Sequence, residues 1–345
     1  MVTRLLLIGA TLMLAGAGGA TFVWLSMPLP WLLGAMVFTM LAALAQAPLS
    51  APSWLRGPTF AVLGVILGSA FRPELLDDLG AWTVSLSLVA LYILAMGLTV
   101  RVYYRRVVGL DQKTALLCAM PGGMAELTSM ARSIGADDRQ VALAHTSRIF
   151  LVVCLIALWS RFFLGIGAAE TAGPAAGLSD ARLPDLLGLA AAGVVGFLLG
   201  PRLRLPASAL VGPMLVSATL HLFGWLESVP PREAVILAQL VLGATIGCRF
   251  VGIRPWIVLR ALLFGLGAAV AMLGATAVLA LAIHGALGQE LVAVIIAFAP
   301  GGFTEMSLVA LAMDVDAAYV ASHHTVRLIL VVLLTPLVLK LLPET

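Results

Sequence analysis

The sequence predicts an all-α polytopic membrane protein built from two inverted repeats. Each repeat is expected to hold about five transmembrane helices and one re-entrant or broken helix with a Pro-Gly-Gly tip. Three observations lead to this prediction: the apolar composition, a long internal duplication, and the positions of Arg and Lys between the apolar segments.

The composition excludes a soluble domain. Of 345 residues, 61 % are hydrophobic and 11 % are charged, whereas roughly a quarter of the residues of a soluble domain are charged. Five apolar runs approach the roughly 20 residues that a helix needs to cross hydrocarbon: 5–25, 82–100, 141–158, 261–283 and 319–342. Several shorter apolar runs lie between them.

The same polar motif occurs twice, 179 residues apart. PGGMAELTSMARSIGADDRQVALAHTSRIFLVV begins at Pro121, and PGGFTEMSLVALAMDVDAAYVASHHTVRLILVV begins at Pro300; 14 of the 33 aligned positions are identical. Because earlier segments follow the same offset, we divide the chain into a first membrane repeat at 1–164, a periplasmic linker at 165–183 and a second membrane repeat at 184–345. Gly64 and Gly68 match Gly243 and Gly247, and such pairs are typical of close helix contacts in membranes.

The positions of Arg and Lys predict that the two repeats are inverted. Loops rich in these residues stay in the cytoplasm. In the first repeat these residues are Arg56, Arg101, Arg105, Arg106 and Lys113. The corresponding loops of the second repeat are poor in Arg and Lys, whereas the alternate loops of that repeat contain Arg202, Arg204, Arg249 and Arg254. Inversion requires an odd number of crossings in each repeat. Both termini are then cytoplasmic.

One segment of each repeat must therefore fold back instead of crossing. In the first repeat we assign residues 112–135, because Pro121-Gly122-Gly123 divides them into pieces of about nine and twelve residues, each about half the hydrocarbon thickness. A turn at that depth survives only where protein or a wet cavity surrounds it. The alternative is a kinked helix that crosses straight through.

The duplicated polar residues are the candidate binding residues. Glu126 and Glu305 begin a half-helix, whose amino end favours an anion. Arg148 and Arg327 suit a substrate carboxylate. The proposed substrate-binding set is Gly122, Gly123, Glu126, Arg148, Gly301, Gly302, Glu305 and Arg327. The alternatives are capping of the half-helix by its own Glu, and structural ion pairs between each Arg and a Glu or Asp.

Four further residues are candidates for proton coupling. His145 and His324 lie three residues before the arginines, on the same helical face; a hydrogen-bonded packing histidine is the alternative. Asp137 and Asp316 precede the same helices, where a helix cap is the alternative.

We expect no metal, no cofactor and no disulfide. His323 and His324 are adjacent and so point about 100° apart on a helix, and all three cysteines lie in apolar runs. No enzyme motif is recognisable, and no basic module exists that would bind nucleic acid.

The paired PGGxxE and DxxxVAxxHxxR motifs and the Pro-x5-Gly-x-Met elements resemble the AbrB ("aidB regulator") family of duplicated bacterial inner-membrane proteins. The resemblance covers almost the whole chain. Members are often labelled ammonia monooxygenases, but such an enzyme would need a metal-ligand cluster that this sequence does not display. The family name implies instead a regulatory effect, which an indirect route through a metabolite would explain.

Inverted repeats with broken helices are the architecture of alternating-access secondary transporters. We therefore predict a gradient-coupled transporter of a small, carboxylate-like organic anion in the bacterial inner membrane. The coupling ion is a proton or sodium, and a homodimer is possible. The alternative is a membrane-embedded sensor or regulator that binds the same ligand without moving it.

Overall fold

In a computed structural model the described residues, 2–167, 177–179 and 181–341, form fourteen α-helices and no strand. They are α1 Val2–Trp24, α2 Pro30–Leu44, α3 Arg56–Gly68, α4 Leu75–Tyr103, α5 Gln112–Ala119, α6 Met124–Ile134, α7 Asp138–Phe163, α8 Leu183–Arg202, α9 Ser208–Leu222, α10 Arg232–Gly247, α11 Pro255–Leu287, α12 Leu291–Phe298, α13 Phe303–Ala312 and α14 Ala317–Lys340. Most of the predicted linker at 165–183 lies outside the described residues.

Seven of the described helices are long and apolar enough to cross a membrane: α1, α4, α7, α8, α11, α14, and α10 together with the 3-10 turn Cys248–Phe250, which extends it to 19 residues. Three more, α2, α3 and α9, are apolar but contain only 13 to 15 residues. They are shorter than the roughly 20 residues of a full crossing. The predicted set of ten crossings thus divides into seven helices of membrane length and three short ones.

The chain forms two compact units, and each unit takes segments from both sequence repeats. Unit 1 comprises Met1–Asp78, Cys154–Pro255 and Leu308–Ala318; unit 2 comprises Leu79–Val153, Trp256–Ser307 and Tyr319–Thr345. The helices α4, α7, α11, α13 and α14 contribute residues to both. The compact units therefore do not coincide with the two halves of the sequence.

Glycines pack the short helices of unit 1 against one another. A β-carbon at Gly64 of α3 would overlap the Leu210 carbonyl of α9, and one at Gly68 would meet the Met214 carbonyl one turn later. The matching glycines of α10 do the same to α2, where Gly243 meets Leu32 and Gly247 meets Met36. The predicted role of these four glycines as close helix contacts is confirmed.

The duplication is also visible in the backbone that leads into α2 and α9. Leu29 and Ala207 stand immediately before these helices, and both have left-handed φ angles, 48° and 46°. Each such residue costs of order 1–3 kcal/mol. Because the same strain occurs at both matched positions, the two repeats share a local structure here that composition alone does not reveal.

Unit 2 contains the first copy of the duplicated motif and most of the second copy, whose residues 308–318 belong to unit 1. The half-helices α5 and α6 have eight and eleven residues, close to the predicted nine and twelve, and α12 and α13 have eight and ten. The Thr114 hydroxyl accepts a hydrogen bond from the Asp137 amide (3.0 Å), and the Lys113 ammonium donates one to the Ile134 carbonyl (3.4 Å). The start of α5 therefore lies beside the end of α6.

Candidate functional site

Two breaks in helical structure lie in unit 2, each at a Pro-Gly-Gly sequence. The first break, Met120–Gly123, separates α5 from α6, and the second break, Ala299–Gly302, separates α12 from α13. Met120, Gly123 and Ala299 have ψ angles of 126°, 127° and 138°, outside the helical range. Proline has no amide hydrogen to donate and disfavours a helical residue before it, which explains why each half-helix ends there.

A buried arginine holds each break. Nη1 of Arg327 donates to the Ala299 carbonyl at 2.5 Å, and Nη2 donates to the Gly301 carbonyl at 2.8 Å. Nη1 of Arg148 donates to the Met120 carbonyl at 3.0 Å and to the Cys118 carbonyl at 3.4 Å. Met120 and Ala299 are matched positions, each directly before the proline. Both arginines therefore occupy the negative carboxyl end of a half-helix.

Structural ion pairs, the alternative proposed for the arginines, do not describe these contacts. The two side chains are only 2 % and 4 % exposed. Among the residues that the structure describes, an ion pair joins Arg132 to Asp138 (2.6 Å), and neither Arg148 nor Arg327 forms one. Backbone carbonyls, instead of carboxylates, accept their hydrogen bonds.

The glutamates lie over the amino ends of the second half-helices. Gly123 stands at the amino end of α6, and a β-carbon there would overlap the Glu126 carboxylate three residues later. The carboxylate of Glu305 lies in the same way over Gly302. This placement is typical of a capping glutamate. Glu126 is half-buried and Glu305 is 6 % exposed.

The first break packs against the helix that holds the second. A β-carbon at Gly122 would overlap Val331 of α14, and one at Gly123 would overlap Leu328 as well as Glu126. Leu328 follows Arg327, which holds the second break. The glycines therefore allow the two breaks to approach the same stretch of α14.

The duplicated histidines are buried and hydrogen-bonded to backbone. A ring nitrogen of His145 bonds to the Val141 carbonyl in its own helix (2.9 Å). Nε2 of His324 bonds to the Ile296 carbonyl of α12 (3.0 Å), and its ring stacks on Phe303. The two histidines, although matched in sequence, thus have different partners.

His323, which has no counterpart in the first repeat, ties α14 to α4. Its Nε2 bonds to the Ser85 hydroxyl at 2.9 Å, and its ring lies 4.0 Å from the ring centre of Tyr319. The matched position of the first repeat is occupied by Ala144. This hydrogen bond was not predicted from the sequence, in which His323 was weighed only as a metal ligand. The described residues contain no group of three or more His, Cys, Asp or Glu that could hold a metal.

Tyr92 is a further candidate site residue, which was not predicted from the sequence. Its hydroxyl forms a hydrogen bond with Thr276 of α11 (2.8 Å), and it lies within electrostatic reach of both Arg148 and Arg327. The duplication gave no signal, because the position that matches Tyr92 is Ala271 and the one that matches Thr276 is Gly97.

Asp137 caps α7. Its carboxylate accepts hydrogen bonds from the amides of Arg139 and Gln140, both at 3.0 Å. Burial raises the pKa of this carboxyl, but the hydrogen bonds from Gln140 and Arg139 together lower it by more. The pKa therefore lies below its ordinary value. Its match, Asp316, belongs to unit 1, where it lines a cavity of about 550 Å³ with Arg72, Glu74 and Gln239.

The family model described as "Transition state regulatory protein AbrB" matches residues 31–343. The chain belongs to the AbrB family. It is 26 % identical over 360 residues to "Uncharacterized protein YhjN" of Bacillus subtilis (strain 168), with 95 % of this chain and 91 % of the relative covered. It is 25 % identical over 326 residues to "Putative regulator AbrB" of Escherichia coli (strain K12), with 92 % and 91 % covered.

In this AbrB-family chain, several buried polar atoms beside the breaks have no hydrogen-bond partner among the described residues. On α7 they are Nε2 of His145, Oγ of Ser147 and Nε of Arg148. Around the second break they are Oγ of Ser307 and Nδ1 of His324. Buried polar atoms are normally satisfied by protein or ordered water. These five atoms of unit 2 are therefore candidates for hydrogen bonds to water or to a ligand.

Proposed function

We propose that this AbrB-family protein is a secondary transporter of a small organic anion in the bacterial inner membrane, with both termini in the cytoplasm. The observation that carries the proposal is the pair of buried arginines, Arg148 and Arg327, each at a helix break and neither in an ion pair among the described residues. An ionised side chain in the hydrocarbon region costs at least about 2.5–3.5 kcal/mol. Such residues usually mark a substrate or ion pathway.

The proposed inversion of the two repeats is supported by helix directions in unit 1. Gly64 of α3 contacts Leu210 of α9, and Gly68, one turn later in α3, contacts Met214, one turn later in α9. The two helices therefore run parallel. Leu29, which precedes α2, and Ser69, which follows α3, line the same cavity, so α2 and α3 run in opposite directions. Hence α9 runs opposite to its sequence match α2.

The proposed re-entrant hairpins are supported by the hydrogen bonds at their open ends. Thr114 and Asp137 meet although they lie at opposite ends of the α5–α6 segment. A kinked helix that crossed the membrane would keep these residues a membrane thickness apart. The carbonyls freed at each break are bonded to an arginine, which is the kind of protein partner that broken backbone requires in a membrane.

Charge balance supports a coupled mechanism. The two breaks carry two guanidinium groups and two glutamates, so their formal charges cancel. An added anion would leave one uncompensated negative charge, which is costly in a membrane interior. A cation that enters with the anion removes this cost. The Glu126 and Glu305 carboxylates also cover the half-helix amino ends, so an anion that binds these amides must displace a carboxylate or meet a protonated one.

The test begins with ligand discovery. Thermal unfolding of the detergent-purified protein is measured against a panel of small organic acids and amines. A ligand at about one hundred times its dissociation constant stabilises the protein by about 2.7 kcal/mol. The acid that raises the midpoint is then used, in labelled form, for counterflow in proteoliposomes. Transport is supported if the wild type shows counterflow and if Glu126→Gln changes the pH dependence of that counterflow.

The control is Arg139→Gln, which removes an exposed arginine from α7, the helix of Arg148. It should leave both stabilisation and counterflow unchanged. Stabilisation by amines alone, with no acid active, would contradict the anion proposal.

The names of the family model and of the E. coli relative favour a second candidate, a membrane-embedded regulator. Such a protein would bind the same ligand without moving it. Stabilisation by an acid in the absence of counterflow would support this candidate over transport.

A further inference from the structure

The carboxyl ends of the half-helices α5 and α12 are places where a membrane protein would ordinarily bind a cation. A helix carboxyl end carries a partial negative charge, and its last carbonyls have no partner within the helix. In transporters with broken helices, such carbonyls coordinate the coupling sodium ion. Here the carbonyls of Met120 and Ala299 fill that position in the two repeats.

In this chain the cation is a side chain. The guanidinium group of Arg327 binds two carbonyls that flank Pro300, at 2.5 and 2.8 Å. Arg148 binds the carbonyl before Pro121 at 3.0 Å and the Cys118 carbonyl at 3.4 Å. Hydrogen bonds from an ionised donor are about twice as strong as neutral ones. A sodium ion could reach these oxygens only by displacing a guanidinium group that is covalently tethered beside them.

We propose that Arg148 and Arg327 are tethered cations that fill the carbonyl sites of the two breaks, so that this protein works without sodium. The independence from sodium rests on the proposed transport function, because it leaves a proton as the coupling ion. The occupation of the carbonyl sites is independent of any substrate. It predicts that removal of either arginine exposes a site for a small monovalent cation.

The experiment measures thermal unfolding of the full-length chain in detergent, with no substrate. Wild type, Arg327→Ala and Arg148→Ala are compared in sodium chloride, lithium chloride, choline chloride and guanidinium chloride at equal ionic strength. Guanidinium is kept at about 10–50 mM, far below the molar concentrations that unfold proteins. Arg139→Ala, which removes an exposed arginine from α7, is the matched control.

The expected result has two parts. The wild-type and Arg139→Ala midpoints do not distinguish sodium from choline. Without guanidinium, the unfolding midpoint of Arg327→Ala lies below that of wild type. Added guanidinium raises this midpoint until the effect saturates, and sodium raises it by less. Arg148→Ala behaves in the same way with a smaller initial fall, because one of the two bonds of Arg148 is longer. It also serves if Arg327→Ala does not fold.

Three results would overturn the proposal. One is a wild-type midpoint that sodium raises and choline does not. Another is a folded alanine variant that no cation rescues. The third is failure of both variants to fold even with guanidinium present throughout purification. None of these depends on finding a substrate, so failure here is distinguishable from failure of the transport proposal, which counterflow tests.

Discussion

The guanidinium group of Arg327 donates a hydrogen bond of 2.5 Å to the carbonyl of Ala299, the residue before Pro300. The matched bond between Arg148 and Met120 measures 3.0 Å. A proline ends each half-helix and leaves this carbonyl without its helical donor. The duplicated Pro and Arg are therefore two parts of one device, although they stand 27 residues apart in each repeat.

The first prediction follows from this geometry. Arg327→Lys should lower the free energy of unfolding by about 1.5–3 kcal/mol, because an ammonium group cannot reproduce the forked guanidinium group that reaches two carbonyls. Arg148→Lys should cost less, since its second contact is 3.4 Å long. Unfolding midpoints in detergent measure both. The prediction fails if the two variants rank in the opposite order.

The second prediction concerns helix packing in unit 1. Gly64→Ala and Gly243→Ala should each cost about 1–3 kcal/mol, because the new β-carbon meets a backbone carbonyl that has little room to move. Gly9→Ala is the control, since nothing lies within 4 Å of its β-carbon position. It should be neutral or slightly stabilising. Equal effects at Gly9 and Gly64 would contradict the packing described above.

The third prediction concerns pH. The pKa of Asp137 is lowered in the folded state, so its stabilisation is present above the unfolded value of about 3.9 and is lost as the pH falls through the folded value. At neutral pH, Asp137→Ala should cost about 1 kcal/mol, as expected for a lost helix cap. The difference between wild type and this variant should shrink as the pH falls.

Asp137→Asn provides the control for that experiment. Asparagine caps helices about as well as aspartate but does not titrate. The gap between Asp137→Asn and Asp137→Ala should therefore stay constant with pH. A gap that narrows in parallel with wild type would show that another group causes the pH dependence.

The fourth prediction concerns the link between α4 and α14. Ser85→Ala and His323→Phe each remove one side of a buried hydrogen bond of 2.9 Å. The phenyl ring preserves most of the contact with Tyr319. A double-mutant cycle of unfolding free energies should give a coupling of about 0.5–1.5 kcal/mol. Additive effects would show that the two side chains do not interact.

The sequence predicted those features that depend on local chemistry or on duplication. The half-helix lengths followed from Pro121 and Pro300, and the close helix contacts followed from the matched glycines Gly64 and Gly243. The resemblance to the AbrB family, based on the repeated motif, was confirmed over residues 31–343. Helix ends and glycine contacts are predictable because proline and glycine restrict the backbone in known ways.

The partners of the polar residues were not predictable in the same way. The acceptors of Arg148 and Arg327 are backbone carbonyls, which every residue has, so the sequence carries no signal for them. Contacts that break the repeat symmetry, such as Tyr92 with Thr276, also left no trace in the duplication. The substrate-binding and proton-coupling roles of the duplicated residues stay predictions.

The interleaving of the repeats has a consequence for biosynthesis. Leu32 packs against Gly243, about 200 residues later in the chain, and Gly64 packs against Leu210. A ribosome that has released the first repeat has therefore supplied only one side of these contacts. Neither compact unit is complete until the second repeat has entered the membrane, so Leu32 of α2 and Gly64 of α3 lack their partners from α10 and α9 until then. Two halves produced as separate polypeptides should accumulate only when they are produced together.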